Sequence, residues 1–138
     1  MSTVKVNTLT GTTSAGSIVV TGEGGSTTTN LQQGLCKSWV SMAADGASLI
    51  DSFNIGGSVD SGTGDRRVSF TNNMNNALYA LSTGVTDNTA STSILGCDIS
   101  AGTIATTGYD FEVFYSSASD NRTNFDEESF VKVHGDLA

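Results

Sequence analysis

Apolar and polar residues alternate most legibly between Ser52 and Phe70, SFNIGGSVDSGTGDRRVSF. Phe53, Ile55 and Val59 fall on one face of a first arm, and Val68 and Phe70 alternate the same way on a second. Pairing Val59 with Arg66 sets Gly57 against Val68 and Ile55 against Phe70, which puts every apolar residue on one side. Between the arms, Asp60 to Asp65 (DSGTGD) supplies the Gly and Asp residues that tolerate the positive φ of a chain reversal. The segment predicts a β-hairpin in a half-buried sheet, not an active site.

A second clear alternation runs through Tyr109, Phe111, Val113 and Tyr115, with Asp110 and Glu112 between them. Phe114 breaks this pattern and is expected to face a second packing surface. Further strands are expected at Lys37–Met42, where Trp39 points opposite to Val40, at Ser93–Ile99, more weakly at Thr103–Thr107, and at Phe130–His134. A strand at Ala77–Ser82 sets Leu78, Ala80 and Ser82 on one face and Tyr79 and Leu81 on the other. Asn30 is placed to cap one helical turn that brings Leu31 and Leu35 together, and Gly34 weakens any longer helix. Thr71–Asn76 reads as a turn, while Gly84–Thr92 and Ser116–Glu128 read as loops, the last being the longest stretch without apolar pattern.

Composition sharpens this picture. The 138 residues contain 16 Gly and no Pro, against about seven Pro in an average chain, so Gly and Asn must form the turns. Short strands of about six residues separated by frequent turns, with no helix-period segment long enough for a crossover, predict an all-β antiparallel sandwich. Residues 1–30 differ. Their Thr, Ser and Gly leave too little apolar surface to offset the entropy of ordering alone, so they read either as a disordered leader or as an extended strand completed by neighbouring chains.

The net charge of -8 with only six Lys and Arg argues against a phosphate-binding surface, so no nucleic-acid partner is expected. No apolar run approaches the roughly 18 residues needed to span a bilayer. The N-terminus lacks a signal-peptide core, which gives the expectation of a protein made in the cytoplasm and not inserted in a membrane. Cys36 and Cys97 show no CxxC spacing and read as buried reduced thiols in preference to a disulfide. The single His134 cannot anchor a metal set or a catalytic triad, and no nucleophile motif is present, so no catalytic residue, metal or cofactor is expected. DSGTGD and the Asp126–Glu128 run read as a hairpin turn and a solvated charge run in preference to a calcium site, since their spacing does not match an EF-hand loop.

LQQGLCKSWV at Leu31 to Val40, DSFNI at Asp51 to Ile55, GTGD at Gly62 to Asp65 and the closing FVKVHGD, preceded by a Thr-rich leader, resemble a recurring domain of tailed-bacteriophage virion proteins of the marine phage type. The resemblance implies a β-sandwich of jelly-roll type over residues 31–138 and an attachment or trimerisation segment over residues 1–30. It further implies a homotrimeric tail-fibre or fibre-tip protein, assembled in the host cytoplasm into the virion, with other virion proteins as partners. Cys36, Arg66 and Arg67 depart from the family pattern. Loop residues Asp60, Thr63, Asp65, Asp87, Asn88, Asn121, Arg122, Asn124 and Phe125 are the candidates for contact with a host-surface glycan or protein. Leu31, Leu35, Trp39 and Phe114 are the candidates for core or subunit interface. Two alternatives stand beside this expectation. One is a capsid decoration or head-fibre protein, and the other a free carbohydrate-binding module stacking sugar on Trp39 or a tyrosine.

Overall fold

The computed structural model of the protein describes residues 3–13, 18–86, 94–116 and 122–138. They belong to two compact units, Met1–Leu35 and Cys36–Ala138. In the first, β1 (Val19–Thr21) and β2 (Thr28–Asn30) form an antiparallel ribbon, with Val19 opposite Asn30 and Thr21 opposite Thr28. The segment read as extended therefore folds back on itself at Gly22–Gly25, where Gly25 takes φ 77°. Asn30 then starts α1 (Leu31–Gly34) by accepting the N–H groups of Gln32 and Gln33 at 2.8 and 3.2 Å, the cap expected from sequence. This unit buries no residue in its ribbon or helix.

The second unit carries β3 (Ser38–Met42), β4 (Leu49–Phe53), β5 (Ile55–Gly62), β6 (Asp65–Phe70), β7 (Ala80–Val85), β8 (Ile94–Ala105), β9 (Gly108–Ser116), β10 (Arg122–Asn124) and β11 (Ser129–His134). Every pairing is antiparallel. One sheet has the order β4-β3-β11-β7; the other runs β5-β6-β9, with β8 on the far side of β9. β10 continues the β6 edge: Val113 N–H donates to Gly64 O at 2.7 Å, and the Phe125 N–H donates to Val113 O at 3.1 Å.

Alternation explains the core. Val40 and Met42 of β3, Val131 and Val133 of β11, Val68 and Phe70 of β6, and Tyr109, Phe111 and Val113 of β9 form one buried cluster drawn from both sheets. The arrangement is sandwich-like, as expected. Aromatic rings add directional contacts, with Phe70 lying 5.7 Å from both Tyr79 and Tyr109.

Several expectations are corrected. Ile55 does face Phe70, but Val59 pairs with Arg67 rather than Arg66, and Gly57 with Ser69 rather than Val68. The cause is an irregularity at Gly56, where a Cβ would lie 3.1 Å from Phe70 O, so the extra residue shifts the register by one. Val59 is consequently exposed rather than buried, and Phe53 is exposed too. Phe53 also belongs to β4 in the opposite sheet. The chain changes sheets at Asn54, which takes φ 58°, and its amide holds the corner by donating to Lys37 O and Asn72 O, both at 3.1 Å. The Ser93–Ile99 and Thr103–Thr107 segments merge into one strand with an irregularity between Ile99 and Ile104. β7 starts at Ala80, three residues late, yet Tyr79 and Leu78 face opposite ways as expected, Tyr79 buried and Leu78 90% exposed. Asp87, Asn88, Asn121 and most of the Gly84–Thr92 loop lie outside the described residues.

Candidate binding surfaces

The loop residues named from sequence gather in part at one end of the second unit. Asp60 caps the hairpin tip by accepting Gly62 N–H at 2.9 Å, and Thr63 at the tip is exposed. Gly64 is buried, with φ 70°, and Asp126 Oδ1 accepts its N–H at 2.7 Å. A Cβ at Gly64 would overlap Val113 O and crowd Phe125 N and O. The tip therefore rests on the segment that enters β11. Asp65 opens β6 half-buried, and Asn124 is half-buried opposite Phe114.

Arg66 ties this end together. Its side chain is fully buried, because it shares inward parity with Val68 and Phe70. Its guanidinium donates to Ser129 Oγ at 2.6 Å, Glu127 O at 2.7 Å and Ala44 O at 3.3 Å, and its Nε has no hydrogen-bond partner. Burial lowers its pKa, opposed by the carboxylates of Asp126, Asp45 and Asp60. One cation thus clamps two segments, the β3–β4 loop and the entry to β11, to the hairpin.

Two candidates are engaged inside the chain. Arg122 pairs with Asp98 at 3.3 Å and with Glu112, and its guanidinium carbon sits 4.0 Å above the Phe114 ring. Phe114 also lies over Gly96, where a Cβ would come within 2.5 Å of the ring. Phe125 packs beside the core and meets Tyr115 edge to face at 5.4 Å. The aromatic that broke the alternation is covered by its own chain.

The outer faces of the two sheets differ sharply in chemistry. On β4-β3-β11-β7, Trp39 stands between Phe53 and Lys132, with Ser82 beyond, and the next row is Asp51, Ser41, Phe130 and Gly84. Trp39 is half-exposed, Phe53 51% exposed and Phe130 39% exposed, so Trp39 is not a core anchor. Leu31 is half-buried and Leu35 exposed, both in the first unit.

The opposite outer face is ionic. Asp65 faces Glu112, and Glu112 faces Asp98. Arg67 stands across from Asp110, donating from Nε and Nη2 to the two carboxylate oxygens at 2.9 Å each. Beside this pair is an open groove of about 280 Å3 lined by Arg67, Ser69, Thr103, Ala105, Thr107 and Asp110. Sequence reading missed it. The available signal was the outward parity of Arg67, Ser69 and Asp110, which only the correct strand order turns into neighbours.

Both cysteines are free and half-buried, and burial pushes the Cys97 thiol up to about 11. Among the described residues, no three His, Cys, Asp or Glu side chains gather as a metal site, and no helix is long and apolar enough to cross a membrane. No family model, curated protein or solved structure matches the chain.

Proposed function

We propose that this chain is a structural protein of a tailed-bacteriophage virion, a tail-fibre or fibre-tip component of jelly-roll type that associates as a homotrimer and displays its loops to the host surface. The observation that carries this reading is the exposed cluster of Phe53, Trp39 and Phe130, which spans two successive rows of one outer face. Aromatics clustered on a sheet face mark a contact surface. The occupant is a second copy of the same chain. Lys132 on β11 and Asp51 on β4 lie on opposite sides of β3, so a head-to-tail contact, the heterologous kind that a ring of three needs, sets the basic side of one copy beside the acidic side of the next.

The clamped loop end suits passive display, in which three weak contacts acting together exceed one in avidity. Residues 1–30 supply the attachment to other virion proteins. Analytical ultracentrifugation is expected to give a trimer, and the Trp39→Ser, Phe130→Ser double variant a monomer with unchanged circular dichroism. A monomeric parent at high concentration would overturn the assembly. Electron microscopy of labelled particles is expected to place the protein at the tail; a position on the head would favour the capsid-decoration reading.

A further inference from the structure

The ionic face opposite the aromatic one holds a groove whose chemistry the assembly reading does not use. It lies along β6, β9 and the Thr106–Thr107 turn that joins β8 to β9. We propose that this groove is a subsite for a single neutral sugar ring, oriented by Arg67 and Asp110.

Four observations converge on that ligand. The volume of about 280 Å3 falls just below the range of about 300–1,000 Å3 typical of drug-sized ligands, so the occupant is small. The lining mixes apolar surface at Ala105 with hydroxyl-bearing Ser69 and Thr107, the combination that meets a pyranose through its C–H face and its hydroxyl edge. The Arg67–Asp110 pair uses Nε and Nη2, leaving Nη1 as a donor. Each carboxylate oxygen retains acceptor capacity, so donor and acceptor stand side by side, as adjacent hydroxyls require.

The fourth observation is charge. Arg67 and Asp110 neutralise each other, Arg122 offsets only part of the charge of Asp65, Glu112 and Asp98 on the same face, and the chain carries -8 overall. Anionic sugars are therefore disfavoured and neutral ones accepted. A peptide strand is excluded by topology. β6 is already paired on both sides by β5 and β9, and β9 by β6 and β8, so neither offers a free edge.

The inference deepens the display reading by placing the ligand on a sheet face instead of the loop tips. It rests on that reading only for its setting, because binding is a property of the isolated chain. The test is an amide-resolved NMR titration of the full chain with the methyl glycosides of glucose, galactose, mannose and N-acetylglucosamine, and with N-acetylneuraminic acid. At least one neutral glycoside is expected to shift the amides of Ser69 and of Thr107 to Asp110, in the millimolar range, with the acidic sugar silent. Asp110→Asn and Thr107→Val are each expected to weaken binding about tenfold or more while keeping the parent's melting temperature within a few degrees.

Shifts confined to the Trp39 face or the loop tips, the absence of shifts with every neutral glycoside, or binding indifferent to both substitutions would overturn the proposal. A trimer with a silent groove overturns this inference alone. A monomer whose groove binds sugar overturns only the assembly.

Discussion

Arg66 shows how one side chain organises a whole end of the second unit. Its guanidinium serves three neutral acceptors on two segments, so removing it leaves both a cavity and orphaned carbonyls. Arg66→Ala is expected to cost about 3 to 5 kcal/mol in chemical denaturation. Arg66→Met, which keeps the volume and need not desolvate a charge, is expected to lose less than half of that. Asn54 works differently, combining a left-handed backbone with its side-chain bonds to Lys37 and Asn72. Asn54→Ala is expected to be more damaging than Asn54→Gly, because glycine keeps the φ and loses only the hydrogen bonds.

Titration supplies a residue-scale prediction with a fixed sign. Burial raises the Tyr79 hydroxyl from 10.0 to about 12 and the Cys97 thiol from 9.0 to about 11, and raises Tyr109 further. The fold holds each proton more tightly than the unfolded chain does, so stability is full below the unfolded values and falls as pH rises through the folded ones. Denaturation midpoints are expected to lose ground from about pH 9 and to fall steeply by about pH 12. Tyrosinate absorbance from these two residues should appear together with unfolding; smooth titration of a folded protein would contradict the burial argument.

At the scale of elements, the tip of the β5–β6 hairpin is steady because Gly64 is wedged between Val113 and Phe125 and tied to Asp126. Asp126→Ala is expected to speed exchange of the Gly64 amide roughly fivefold to tenfold, about 1 kcal/mol of local stability. Gly108→Ala should be far worse, since its Cβ would overlap Val68 O and prise β9 from β6. Much of this level was legible in advance. Tyr109, Phe111 and Val113 read inward and are inward, and Asn30 read as a cap and is one. The hairpin register was not legible, because the irregularity at Gly56 depends on a close approach to Phe70 that no local pattern announces. Arg66 was misleading for another reason. Its parity with Val68 and Phe70 pointed inward, but a charge usually faces water, and only the waiting carbonyls of Ala44 and Glu127 reverse that preference.

For the molecule as a whole, the consequential fact is the unlike chemistry of two outer faces built from equally alternating strands. Alternation fixes which residues leave the core but not which outward residues become neighbours. The Trp39 row and the Arg67–Asp110 pair are products of strand order, not of local pattern. That separation makes the proposed self-association and the proposed sugar subsite compatible, since they fall on different surfaces. Removing Trp39 and Phe130 is expected to abolish the proposed trimer without altering the groove, as the paired ultracentrifugation and NMR measurements would show.

β11 sits in the middle of its sheet, between β3 and β7. During synthesis, a ribosome that has delivered β3 and β7 still withholds the strand that joins them. Neither the share of the core held by Val131 and Val133 nor the outer rows that hold Lys132 and Phe130 can form before β11 itself is available. The self-association proposed for that face must therefore wait for β11, whatever the order in which the other strands have paired.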